Sequence, residues 1–177
     1  MIIDDIGAIK NTIESLRDFA RRSKPNFISA DLRQILKRTL FLVMPEIQKK
    51  NVEFMEQYPD GDLNIKADPE QLRQVFLNIL LNAVAAVGRN GTLTLIVSSS
   101  ENRNGKRCLI ISVKDDGIGM SDEEKSHIFK PFFTTKAKGL GLGLCVTKKI
   151  VEDHDGYIEV ESQKNVGTQF KIYLLKE

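Results

Sequence analysis

Between Val75 and Val87 every residue is apolar except Asn78 and Asn82. Just ahead stands Asp68-Pro69-Glu70-Gln71, a helix start with Asp at the N-cap, Pro at the first helical position and Gln at the third. The pattern predicts one helix from Gln71 to about Val87, with Gly88 near its C-cap. A helix that is apolar nearly all round has to be covered on most sides, so the remaining chain must fold about it. Asn78 and Asn82, four residues apart, share one face. Such amides either form a stripe toward solvent or line a polar cavity, since buried amides need partners. In a cavity their oxygens can ligate a hard cation such as Mg2+.

The cover for that helix is available. The chain has 177 residues, 41% of them hydrophobic, and a net charge of +2, which describes one globular domain with an ordinary core. A balance so close to neutral argues against a general nucleic-acid or membrane-surface binder. The two cysteines, Cys108 and Cys145, lack metal-ligand spacing and read as buried reduced thiols of a cytoplasmic protein. No apolar run is long enough to span a bilayer, and Met1 opens onto a polar-apolar helix rather than a signal peptide.

Ile6, Ile9, Ile13, Leu16 and Phe19 place one apolar stripe on a charged helix, which ends at Arg21-Arg22-Ser23-Lys24-Pro25. This is the expected boundary, with one unit at 1–24 and a second at 25–177. Phe27-Ile28 is extended. Asp31 and Gln34 form a capping box for a helix through Leu32, Leu36, Leu40 and Val43, which Pro45 should kink or restart before it ends near Lys50. Strands are expected over Val52–Tyr58, Leu63–Ala67, Thr92–Ser98, Arg107–Val113, Tyr157–Ser162 and Gly167–Leu175, the last two as an antiparallel hairpin. Ser121 and Glu124 cap a short helix to about Ile128, and another helix covers Gly143–Glu152. The fold class is α+β, a two-layer sandwich with helices on one face of a mixed, mostly antiparallel sheet.

Two glycine patterns carry chemistry. Asp115-x-Gly117-x-Gly119 follows the apolar run Leu109–Val113, so a carboxylate sits at a strand end beside a turn that lets a ligand approach the backbone. Gly139-x-Gly141-x-Gly143 runs straight into a helix, where free amides suit a phosphate, and Lys136 and Lys138 stand just before it. The second pattern is neither a dinucleotide fingerprint nor a Walker A loop. Leu144 replaces the third glycine, no strand precedes it, and no Gly-Lys-Ser/Thr follows.

Taken in order, Asn78-x-x-x-Asn82, Asp115-x-Gly117-x-Gly119, Phe129 with Phe132-Phe133, Gly139-x-Gly141-x-Gly143 and Gly167-Thr168 resemble the N, G1, F, G2 and final Gly-Thr boxes of sensor histidine kinases. Those enzymes belong to the GHKL ATPase superfamily, and the resemblance covers about Asn26 to Lys176. The run Phe132-Phe133-Thr134-Thr135-Lys136 is most similar to the nitrogen-regulation type.

The resemblance implies an ATP-binding catalytic domain that transfers the γ-phosphoryl group to a histidine on a dimerisation helix. It implies that Asp115 accepts the adenine exocyclic amine, that Gly117 and Gly119 shape the base turn, and that Thr168 supports the base through water. Asn82 holds Mg2+ on the phosphates. Phe133, Thr134, Thr135, Lys136, Lys138, Gly139, Leu140, Gly141, Leu142, Gly143 and Leu144 form the lid and phosphate cradle. Catalytic roles fall on Asn78 and Lys136; Asn78 stands where hydrolysing relatives carry a glutamate base, and an amide takes no proton at neutral pH. Residues 1–24 resemble the second helix of a dimerisation hairpin. The implied partners are the histidine-bearing helices of the same kinase, a response regulator receiver domain, and a second copy in the full-length homodimer.

Three features depart from the family pattern. Ala85 and Ala86 stand where a lysine is frequent, Leu140 replaces a small hydroxyl residue, and no histidine lies in an acceptor position, since His127 and His154 read as surface or packing residues. Two alternatives remain on the sequence: a serine kinase of the same superfamily, and a non-catalytic docking module.

Overall fold

The computed structural model describes residues 24–101, 105, 107–136 and 139–176. The expected dimerisation helix at 1–24 lies outside them except for Lys24, as do Lys138 and most of the 102–106 loop.

Strand β1 (Ile28–Asp31) leads directly into α1 (Leu32–Lys49). Asp31 ends the strand and caps the helix, but its carboxylate receives the amide of Arg33 at 2.8 Å rather than that of Gln34. The helix continues through Pro45 as one element. Pro45 lies on the exposed face, where water can serve the carbonyl its ring leaves unpaired. Strands β2 (Glu53–Gln57) and β3 (Asn64–Ala67) are consecutive, yet they do not pair. β3 pairs antiparallel with β1, and β2 runs parallel to β4 (Thr92–Glu101) at the sheet edge.

The main sheet then continues antiparallel through β5 (Arg107–Asp115), β7 (Gly167–Leu175) and β6 (Tyr157–Gln163), in the order β2-β4-β5-β7-β6. Helices α1, α2 (Pro69–Ala86) and α4 (Gly143–Asp153) cover one face, and the short α3 (Asp122–His127) follows the turn after β5. The Ser121–Glu124 capping box forms in both directions.

The expected burial of α2 holds. Leu72, Val75, Phe76, Ile79, Leu80, Ala83 and Val84 are buried against α1, α4 and the core face of β5 and β7. At its N-terminus Asp68 accepts the amides of Glu70 and Gln71. The Asp68 amide in turn donates to Nε2 of buried His154, which fixes the proton on Nδ1, where it donates to the Ile150 carbonyl. His154 is thus a packing residue that ties the start of α2 to the end of α4. Of the two cysteines, Cys108 is buried as expected. Cys145 is only partly so, because it lies in the first turn of α4 with its thiol on the Leu142 carbonyl. Among the described residues no helix is long and apolar enough to cross a membrane.

At the C-terminus of α2 Gly88 stands next to the C-cap as expected, but it is not left-handed and the end is closed by another group. Val87 is extended, and the Lys50 ammonium donates to the carbonyls of Val84, Ala85 and Val87 at 2.6–3.2 Å. A cation at the negative end of the helix satisfies acceptors that have no amide to meet. Lys50→Met should therefore cost about 1–2 kcal/mol, read as a lower urea midpoint with an unchanged slope. An unchanged midpoint would show that the contacts contribute nothing.

Candidate functional site

The cleft lies between α2, the turn after β5, and the segment leading into α4. Its first end is set by strand register. Leu93 of β4, Asp115 of β5, Thr168 of β7 and Ser162 of β6 stand directly opposite one another across four strands. Cross-strand partners share a sheet face, so Asp115, Thr168 and Ser162 form a polar row on the face that the helices cover. Asp115 is 3% exposed and Thr168 7%.

A carboxylate in that position is costly unless it is hydrogen-bonded. Oδ1 of Asp115 accepts the Gly117 amide at 2.9 Å, and the Thr168 amide also points at the carboxylate. Burial outweighs both bonds, so the carboxyl is held above the usual aspartate range, and the neighbouring charge of Asp116 adds to the rise. The turn itself is laid across the end of α2, where the Ile118 amide donates to the Ala86 carbonyl at 3.2 Å. Gly119 has φ 59°, and a side chain there would collide with the Gln163 carbonyl. The turn is thereby pressed onto the β6–β7 hairpin, whose Asn165 amide donates to the Ile118 carbonyl at 2.7 Å.

The second end of the cleft is built on the two asparagines. Asn78 is half-buried, and its Nδ2 donates to the Gly143 carbonyl at 3.2 Å and to Thr147 Oγ1 at 3.4 Å. It therefore holds the first turn of α4 against α2, with its Oδ1 left for a further donor. Asn82, one turn along, accepts the Lys136 ammonium on Oδ1 at 2.6 Å. Partial burial, and then the like charge of Lys50, hold the Lys136 amine below the usual lysine range. Lys136 thus stands close to where Ala85 and Ala86 leave a lysine missing. Among the described residues no three His, Cys, Asp or Glu side chains group to hold a metal ion. An amide oxygen that already takes an ammonium fits a hard cation held mostly by other oxygen ligands.

The segment between Phe129 and Gly143 frames this end. Phe129 and Phe133 pack against the core, Lys148 lies over the Phe129 ring at 5.5 Å, and His127 lies 5.6 Å from the Phe133 ring. His127 is half-buried, consistent with a packing role. Thr134 Oγ1 receives the Lys136 amide at 3.0 Å and fixes that turn, while Thr135 and Gly139 are exposed. Gly141 has φ 68°, and a Cβ there would lie 2.5 Å from the Phe133 carbonyl oxygen. Leu140 and Leu144 are half-buried, and Leu142 is buried. Leu142 is the N-cap of α4 and no side chain caps that end, so its first amides are open to an anion.

Two contributors had weak sequence signals. Lys50 lies far from every motif, and only the lack of a basic residue in the last turn of α2 hinted that a cation from elsewhere could cap it. Ser162 lies in an ordinary alternating strand. Its Oγ nevertheless receives the Met120 amide at 2.9 Å and contacts Gly167 and Thr168.

The raised Asp115 pKa has a consequence for stability. A carboxyl held above its unfolded value contributes stability that is present in acid and lost as pH rises through the folded-state value. At neutral pH, above the unfolded-state value, the burial of the Asp115 carboxyl therefore weighs against the fold. Asp115→Asn should raise the melting temperature of the ligand-free chain at neutral pH, with the gain shrinking as pH falls through the titration of Asp115. A gain that is constant with pH would mean that charge burial is not its cause.

Residues 67–177 match the model of the family described as histidine kinase-, DNA gyrase B-, and HSP90-like ATPase. The sensor histidine kinase ZraS of Klebsiella oxytoca is 36% identical over 166 residues, which cover 94% of this chain and 35% of ZraS. The chain thus spans about a third of the length of that curated relative. Among solved structures, the catalytic domain of histidine kinase ThkA is 33% identical with a TM-score of 0.75, covering 85% of this chain and 96% of that domain. ThkA in complex with the response regulator protein TrrA has a TM-score of 0.79 at 26% identity, covering 99% of this chain and 49% of that one.

Proposed function

Because the chain belongs to the histidine kinase-, DNA gyrase B- and HSP90-like ATPase family, as the ATP-binding catalytic domain of a sensor histidine kinase, we propose that its cleft takes ATP with Mg2+ and passes the γ-phosphoryl group to a histidine. The acceptor is a histidine on a dimerisation helix, and the phosphoryl group goes on to a receiver domain. The second relation is supported by the likeness to ThkA, whose structure includes a response regulator. The observation that carries the reading is the pairing, on one helix, of a base end and a phosphate end. Asp115 and its turn rest on Ala86, while Asn82 and Asn78 lie about 6 and 12 Å back along α2.

At the base end Asp115 is the acceptor for an exocyclic amine. At the phosphate end Gly141, Gly143 and the first amides of α4 face the phosphates, and Lys136 supplies the cation that Ala85 and Ala86 do not. Asn82 and the phosphate oxygens would hold Mg2+, which when bound neutralises phosphate charge. The Lys136–Asn82 contact then has to part, freeing the amide oxygen and turning the ammonium to the phosphates. Asn78 orients α4 and offers no base to water, so transfer to a positioned imidazole is favoured over hydrolysis.

Two substitutions test the two ends separately. Asp115→Ala removes a charge-assisted hydrogen bond of roughly 1.5–3 kcal/mol and should lower ATP affinity at least about tenfold. Asn82→Ala should leave adenosine binding intact while abolishing transfer of radiolabelled γ-phosphate to a supplied helical hairpin that carries the acceptor histidine. The label should be lost in acid and survive base. Acid-stable label on the chain itself, or transfer by Asn82→Ala at the parent rate, would contradict the proposal.

A further inference from the structure

Ser162 decides which way the Thr168 hydroxyl points. A hydroxyl has one proton and two lone pairs. One Ser162 lone pair takes the Met120 amide at 2.9 Å, and its proton goes to the Gly167 carbonyl at 3.0 Å. With the Ser162 proton on the Gly167 carbonyl, the remaining contact, 2.9 Å to Thr168 Oγ1, uses the proton of Thr168. Every valence of Ser162 is filled by this assignment. Thr168 is left with lone pairs only for any third partner. Beside it in the same cross-strand row stands Asp115, whose carboxylate is an acceptor and already holds the Gly117 amide. The side chains at the base end therefore present acceptors and no donor.

We propose that Ser162 is a positioning residue for base selection, locking Thr168 as an acceptor so that the cleft takes a 6-aminopurine and rejects a 6-oxopurine. This rests on the nucleotide site proposed above. A 6-amino group brings two N–H donors, one for Asp115 and one for Thr168, directly or through water. In the same pose a 6-oxo group sets its lone pairs against those of Asp115 and Thr168, and the N1–H of that base points where adenine N1 points rather than at the position of the 6-substituent. With Ser162 in place, Thr168 can turn its proton to the 6-oxo oxygen only by breaking its bond to Ser162. Without the Ser162 hydroxyl that proton is free, and the second barrier to a 6-oxopurine disappears while Asp115 remains. Ser162 acts through Thr168 and need not touch the ligand.

The test is the ratio of ATP to inosine triphosphate affinity, each measured with Mg2+ by calorimetry on the whole chain. The two ligands differ only along the N1–C6 edge, a 6-amino group beside a bare N1 against a 6-oxo group beside N1–H, so the ratio reports that edge, and its change on substituting Ser162 reports the part that Thr168 reads. Ser162→Ala should lower the ratio about tenfold, the worth of one hydrogen bond with good geometry. Ser162→Thr, which keeps the hydroxyl on a side chain suited to a strand, should hold the parent ratio. Should the alanine variant fail to fold, Ser162→Cys keeps the volume, offers only a weak donor and acceptor, and should also lower the ratio. A purely structural serine would weaken both nucleotides equally and lower the melting temperature with the ratio unchanged, which would overturn the assignment. A parent that binds ATP without discriminating against inosine triphosphate would likewise overturn it. A parent that binds neither nucleotide would overturn the nucleotide reading itself, and this assignment with it.

Discussion

Helix α2 is clamped by α1 on one side, α4 on another and the sheet beneath, and it carries two side-chain amides into that packing. Burial of Val75, Phe76, Ile79, Leu80 and Val84 fixes the rotation of the helix. Fixed rotation points Asn78 and Asn82, both only partly buried, to the same side of the helix. Asn78 finds the first turn of α4, and Asn82 finds Lys136. The base turn is hung on the last carbonyls of the same helix. One buried element thereby sets the distance between the two ends of the cleft, and displacing it would disturb both at once.

The chemistry asks this structure to hold charge where the fold would do better without it. Asp115 lies buried beside a like charge, and the exposed Lys136 holds its ammonium on Asn82 with the like charge of Lys50 acting on it. The Asp115 arrangement does not serve folding. Under the proposed function each gains a partner of complementary character, a donor for the carboxylate and an anion for the ammonium. Around them Gly119 and Gly141 are pressed against carbonyls of neighbouring segments, so neither position has room for a side chain. Lys50 closes the end of α2 from a distant element and satisfies the carbonyls there.

Much of this was legible in the residues. The burial of α2 followed from its unbroken apolar run, the strands from their alternation, and the helix starts at Asp68 and Ser121 from capping chemistry. The cleft was legible because backbone-level devices, paired glycines and a strand-end carboxylate, leave marks at fixed spacing. What could not be read was pairing between distant segments. Nothing local to Glu53–Gln57 says that it runs parallel to Thr92–Glu101 instead of pairing with the next strand. Nothing local to Lys50 says that it caps a helix, or to Lys136 that its ammonium lies on Asn82. Ser162 was hidden for the same reason, since its role exists only once three strands bring it level with Thr168 and Asp115. Asp31 shows a smaller limit: its spacing to Gln34 fits a capping box, yet the strand that precedes it turns the carboxylate to Arg33 instead.

The most direct measurement is thermal unfolding of the chain with nucleotide and Mg2+ added separately and together. A ligand that binds the native state alone stabilises it by RT ln(1 + [L]/Kd), about 2.7 kcal/mol at a hundredfold excess over Kd. The account predicts a clear rise in melting temperature with ATP, a larger rise when Mg2+ is also present, and little effect of Mg2+ alone. No rise with ATP, or an equal rise with GTP, would contradict it.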